Sequence, residues 1–277
     1  MRISVSKSEL ESGELNQENL QSALNAIRET GYVILKDIVR HDHLDILRGK
    51  MTEDSLRMIQ DERWGGSGRT KGHLQQGPPP FDPYVFPDVA ANPIVEHTTS
   101  SLFGSGAFNS FYNGNTNTPG SETQPLHMDT GHLWPNRNPS HPTHMVVVNI
   151  SPLDTTEENG AVELWPGTHL IGDVGRGVSP GDEAKRRAEV PPVRGTAPKG
   201  SVLIRDMRLW HRGVPNRSDQ IRHMIALVHC AGWLRRGRPL RYGKGCESVF
   251  ENAVIDPNAV FLEESHDYLF DYIGPNQ

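Results

Sequence analysis

The apolar positions keep a helical period over the first sixty residues and then lose it. Leu20, Ala23, Leu24 and Ile27 form one stripe, with Asn16 as a candidate N-cap and Gly31 suited to a left-handed C-terminal turn, so a helix is predicted over 16–30. A strand is expected over 32–39. A second helix is expected over 43–60, with Leu44, Leu47, Met51, Leu56 and Ile59 toward one side. From Ala107 onward, short apolar runs alternate with turn clusters, the texture of an all-β sandwich or barrel. The candidate strands are 107–112, 124–129, 143–150, 161–165, 201–205 and 220–230. Two stretches escape both periods. Residues 65–87, rich in Gly, Pro, Gln and aromatics, read as an irregular loop of the kind that forms functional lids. The charged, glycine-bearing stretch 171–199 reads as a mobile surface excursion.

No linker-like stretch divides the 277 residues, so one domain is expected over 1–277. Its parts would be a helical N-terminal segment to about 65, a β core over about 105–230 and a C-terminal extension over 231–277. A hydrophobic share of 35% allows a sizeable core, and a net charge of −6 gives no reason to expect a nucleic-acid or membrane-surface partner. Two cysteines do not make a disulfide framework, the N-terminus lacks an apolar signal core, and no apolar run reaches membrane-spanning length. A reducing, cytoplasmic location is therefore expected, and it would suit a ferrous site.

The candidate chemistry lies in His127-Met128-Asp129, read with His211 and Arg222. Two imidazoles and one carboxylate with open positions beside them is the ligand set of non-haem Fe(II) oxygenases. The motif alone is weak, because 13 histidines and 34 acids in 277 residues give about one or two His-x-acid matches by chance. His43-Leu44-Asp45 is such a match. It falls at the start of a helical pattern, where side chains two apart do not face each other. His127 and Asp129 fall on a predicted strand, where they do. His211 follows a strand-like run and precedes the turn Gly213-Val214-Pro215-Asn216, the kind of strand end that presents functional side chains. Arg222 shares a strand face with Met224, Ala226 and Val228. A charge on an apolar face is costly unless paired, and a carboxylate would pair it. His132 and His169 are candidate hydrogen-bond partners for the ligands.

The run Gln124-Pro125-Leu126-His127-Met128-Asp129, then Glu158-Asn159-Gly160-Ala161 with Trp165-Pro166-Gly167-Thr168-His169, then His211-Arg212-Gly213, Pro215-Asn216 and Arg222, resembles the phytanoyl-CoA dioxygenase family. The resemblance extends from the N-terminal helix to about Cys230. It implies a mostly β fold with flanking helices, a double-stranded β-helix of jelly-roll, cupin-like form. It also implies Fe(II), 2-oxoglutarate and O2 as metal, co-substrate and oxidant. Under it, His127, Asp129 and His211 would ligate iron, Arg222 would bind the far carboxylate of 2-oxoglutarate, and Gln124 and Thr168 would assist. Relatives with Ala or Gly at the carboxylate position halogenate, so Asp129 favours oxygenation.

The expected reaction is oxidation of a C–H bond in a small organic molecule, as in secondary metabolism, with release of succinate and CO2. Hydroxylation, desaturation, epoxidation and rearrangement all stay open. Substrate contacts are expected from 65–87 and from Trp134, with Phe111 read as core. The arginines of the C-terminal extension, Arg235, Arg236, Arg238 and Arg241, read as solvated surface. Two rivals share part of this pattern. A non-oxidative cupin-like enzyme using Zn2+ or Mn2+ leaves Arg222 without a task, and a catalytically silent jelly-roll binding module predicts that Asp129→Ala leaves ligand affinity intact.

Overall fold

The computed structural model describes residues 1–61, 70–264 and 266–270. The chain begins with β1 (Arg2–Ser4), α1 (Lys7–Ser12), α2 (Gln17–Thr30), β2 (Tyr32–Lys36), α3 (His41–Gln60), β3 (His73–Gln75), α4 (Pro87–Ala90) and α5 (Pro93–Phe103). It continues through β4 (Phe108–Asn117), β5 (Met145–Ile150), β6 (Glu163–Leu164), α6 (Pro180–Glu189), β7 (Val193–Arg194), β8 (Val202–Asp206), β9 (His211–Arg212) and β10 (Ile225–Cys230). The last strands are β11 (Leu240–Gly243) and β12 (Ala259–Leu262).

A large sheet of order β1-β2-β8-β5-β10-β4-β3 faces a small one of order β7-β6-β9. Every pairing in the two is antiparallel except β1 with β2. This is the mostly β, double-stranded β-helix architecture, with the N-terminal helices on the large sheet and α6 beside the small one. Alternation along the central strands fixes the two faces of the large sheet. Val146, Val148 and Ile150 of β5, Val202 and Ile204 of β8, and Ile225 and Leu227 of β10 pack in one core with Ala23, Ile27, Leu44 and Leu47 of the helices. The intervening residues, Val147, Asn149, Arg205, Ala226 and Val228, line a cavity instead.

The N-terminal helix forms where its caps predict. Asn16 accepts from the Asn19 N–H at 2.9 Å, and Gly31 closes the helix at φ +86°. α3 begins two residues before the predicted start, and its expected stripe is only partly inward: Leu44, Leu47 and Met51 are buried, whereas Leu56 and Ile59 are 51% and 42% exposed.

Two irregular predictions need correction. Residues 171–199 contain α6, which buries no residue and so left no apolar stripe to find. Its local signals are a Ser179 cap, which accepts from Asp182 N–H, Pro180 in the first turn, and acidic residues at its start with Arg186 and Arg187 at its end. Of the expected loop over 65–87, residues 65–69 lie outside the described residues. The rest contains β3, paired with β4, where regular structure replaces the expected loop; residues 76–86 then form neither helix nor strand, as expected, with 76–80 buried. The C-terminal segment is also packed: β11 and β12 pair in parallel, and buried Tyr242 stacks among Tyr112, Phe250 and Phe261.

Candidate active site

Residues 124–129 form no regular strand, and isolated bridges at His127 align the site instead. His127 and His211 exchange backbone hydrogen bonds of 3.2 and 3.0 Å, and His127 also bridges to Gly177. His211 opens β9, which pairs with β6. The His127 segment thus extends the small sheet by one position, and the paired backbones bring the two rings to 4.4 Å between centroids. Asp129, two residues on, projects to the same side. Its Oδ1 lies 3.4 Å from His211 Nε2 and 3.7 Å from His127 Nε2, and one donor atom from each residue lies within 4.8 Å of the others.

The tautomers are set by the backbone. His127 Nδ1 is 2.8 Å from the Pro125 carbonyl and His211 Nδ1 is 2.9 Å from the Leu209 carbonyl, so both rings donate there and turn an Nε2 lone pair inward. Burial, then the neighbouring His211, pushes the His127 pKa down to about 4, so the ring is neutral near pH 7. Burial works to raise the Asp129 carboxyl, but Arg205 and then His211 outweigh it and hold it well below the ordinary carboxylate range. Two imidazoles that turn Nε2 inward and one ionised carboxylate, converging on one point, fit a divalent cation. His43 and Asp45 instead serve separate pairs, with Asp88 at 2.7 Å and Lys199 at 2.6 Å.

The cluster lies in the wall of a cavity of about 420 Å3, a volume usual for small-molecule sites. Met145, Val147, Met207, Met224, Ala226 and Val228 supply its apolar wall, with Phe111 beside them. Arg222 lines the same cavity just before β10, pinned by backbone bonds to Asn117 of 2.9 and 2.8 Å. Its side chain is buried. It donates to the Gly160 carbonyl at 3.1 Å, its Nε finds no acceptor, and among the described residues no carboxylate pairs with it. Burial, then Arg194, lowers its pKa to about 10, which leaves it cationic near neutral pH. Gln124 also lines the cavity, and its Oε1 accepts from the Gly213 N–H at 2.8 Å. Gly213 must be glycine there: a Cβ would stand 2.5 Å from His73 and 2.7 Å from Gln124 Oε1.

Other predicted residues do not join the site. Thr168 is buried outside the cavity lining; its hydroxyl donates to the Trp165 carbonyl at 2.7 Å and accepts from the Trp210 N–H at 2.9 Å. Trp134 is 54% exposed, also outside the lining, and packs edge-on against His141 at 5.3 Å. His132 and His169 bond to Ser140 and to the Arg28 carbonyl, not to the ligand histidines. Conversely, Arg205 and Asn149 line the cavity although the sequence reading does not place them there, and His73 and Gln75 line it from the stretch expected to contact substrate. Arg205 carried a usable signal, because it interrupts the apolar run Val202-Leu203-Ile204 as Arg222 interrupts its own strand face.

Comparison with known proteins agrees with this geometry. The family model described as phytanoyl-CoA dioxygenase (PhyH) matches residues 27–224. Dioxygenase aneA of Aspergillus aculeatus is 26% identical over 223 residues, covering 76% of this chain and 72% of that protein. Dioxygenase andF of Emericella variicolor is 28% identical over 144 residues, spanning 50% of this chain and 47% of its own length. Dioxygenase cdmA of Talaromyces verruculosus is 32% identical over 111 residues, spanning 39% and 35%. Among solved structures, AviO1 from Streptomyces viridochromogenes Tue57 superposes with a TM-score of 0.56 at 18% identity, over 80% of this chain and all of that one, a likeness of fold.

Proposed function

Because the chain belongs to the phytanoyl-CoA dioxygenase family, and is with it an iron- and 2-oxoglutarate-dependent dioxygenase, we propose that His127, Asp129 and His211 hold the iron and that Arg222 anchors 2-oxoglutarate. The observation that carries this reading is Arg222 itself. A buried guanidinium with no carboxylate partner among the described residues, in the same cavity as three converging metal donors, suits a dianion that can reach both. When bound, iron with 2-oxoglutarate and O2 supplies the oxidising power, the co-substrate leaving as succinate and CO2.

The chain's own residues set the stage for that chemistry. The Pro125 and Leu209 carbonyls hold the ligand rings in the tautomer that offers Nε2. Arg222 fixes the co-substrate end remote from the metal. Gln124 braces Gly213, two residues after His211, and keeps its amide at the cavity edge. Thr168, outside the cavity lining, braces the Trp165–Trp210 contact. The Met- and Val-rich wall suits an organic substrate with an apolar body, oxidised at a C–H bond as in secondary metabolism; Phe111, not Trp134, lies where it can touch that substrate.

Succinate formation that depends on both Fe(II) and 2-oxoglutarate tests the reading against a non-oxidative metalloenzyme. Arg222→Ala should weaken 2-oxoglutarate binding at least tenfold in anaerobic titrations while leaving metal affinity within a few fold; wild-type 2-oxoglutarate affinity in the variant would sink the assignment. Asp129→Ala should abolish turnover.

A further inference from the structure

Asp129 uses its two oxygens differently. Oδ1 faces the two Nε2 atoms, whereas Oδ2 meets Arg205 Nη2 at 2.6 Å. Arg205 sits on β8, every residue of which is buried, and its side chain is only 5% exposed. Its backbone is locked between β2 and β5, paired with Tyr32 on one side and Val147 on the other. The guanidinium also runs along the His211 ring, with Nη1 3.4 Å from Nδ1. A short charge-assisted bond from a buried, strand-anchored donor leaves the carboxylate little freedom to turn.

We propose that Arg205 is a positioning residue: it captures Asp129 Oδ2, so that the carboxylate would be offered to the metal through Oδ1, the oxygen that faces the two Nε2 atoms. The inference rests on His127, Asp129 and His211 being the metal ligands. Partners of this kind orient ligands, and their loss typically costs ten- to a hundredfold in metal affinity. The opposite effect is also physical, since a guanidinium near a divalent cation repels it and its removal would by itself tighten binding. The sign of the change therefore separates positioning from plain charge.

The experiment is a Co2+ titration of the metal-free full chain, followed by its visible absorption, with melting temperature as the control for folding. Arg205→Met should bind Co2+ ten- to a hundredfold more weakly, with an altered spectrum. Arg205→Lys, which can still reach one carboxylate oxygen, should recover part of the affinity, and it carries the test if the Met variant melts early. In an Asp129→Ala background, Arg205→Met should have no further effect on affinity. Unchanged or tighter Co2+ binding by a folded Arg205→Met, or an equal loss with and without Asp129, overturns the proposal. Failure of the wild-type chain to bind Co2+ would overturn the ligand assignment itself, and this inference with it.

Discussion

Arg208 and Arg222 are both buried, one in the turn before β9 and one at the cavity end of β10, and they differ in what answers their charge. Arg208 is fully enclosed by protein. Its N–H and Nε donate to Asp206 Oδ1 at 2.8 and 2.9 Å, Nη2 meets Oδ2 at 2.6 Å, and Nη1 reaches Ser140 Oγ and the His141 carbonyl at 2.9 and 2.8 Å. Arg222 has one carbonyl and an unfilled Nε. The first region is complete as folded and fixes the turn that presents His211. The second, on the reading proposed above, is completed by the co-substrate. The comparison teaches that burial of a charge does not itself mark function; the missing counter-charge does.

The largest effect should come from breaking the complete region. Asp206→Ala leaves Arg208 charged and enclosed, and should cost about 3–5 kcal/mol in denaturant unfolding. Arg222→Ala removes a charge that no carboxylate among the described residues answers, so the ligand-free chain should lose less than about 1 kcal/mol or gain stability. Equal losses in the two variants would erase the distinction.

A third way to bury an ionisable group is to give up its charge, and His229 does so. It is enclosed on β10 with Nδ1 at 2.9 Å from Thr99 Oγ1, and burial pushes its pKa from 6.5 to about 4. A depressed folded pKa means that the unfolded chain takes the proton first. Stability is therefore full above pH 6.5 and falls as the pH drops toward 4, by on the order of 3 kcal/mol for this group. His229→Gln should flatten that window in acid titrations of the unfolding free energy. An unchanged slope would mean that other groups, such as His223, set it.

The co-substrate gives the next effect. At a hundred times its dissociation constant, 2-oxoglutarate should stabilise the metal-loaded wild type by about 2.7 kcal/mol and the Arg222→Ala variant at the same concentration by little. Persistence of the full shift in the variant would show that the anion docks elsewhere.

The regions also differ in how far their sequence betrays them. Asn16 and Gly31 announced a helix end because caps are local chemistry. His127, Asp129 and Arg222 stood out because strand alternation predicts which side chains share a face, and that reasoning holds even though 124–129 is not a regular strand. Arg205 obeys the same rule and was available to it, but its partner Asp129 is 76 positions away. Thr168 and Trp134 lie outside the cavity lining for a different reason: motif position does not say which way a loop side chain turns. α6 hid because a helix that buries nothing has no stripe.

Thr168 offers the smallest and most discriminating test, because motif and geometry disagree about it. As a co-substrate contact, its loss would weaken 2-oxoglutarate. As a brace, its hydroxyl belongs with Arg208 among groups already satisfied by protein: it closes one bond to Trp165 and one to Trp210, both behind the cavity. Thr168→Val keeps the shape and strands the Trp210 N–H, a buried donor whose loss of partner costs about 1–3 kcal/mol. The variant should therefore unfold at lower denaturant while binding 2-oxoglutarate with wild-type affinity. A tenfold weaker co-substrate at unchanged stability would return Thr168 to the site and move the boundary between the two regions.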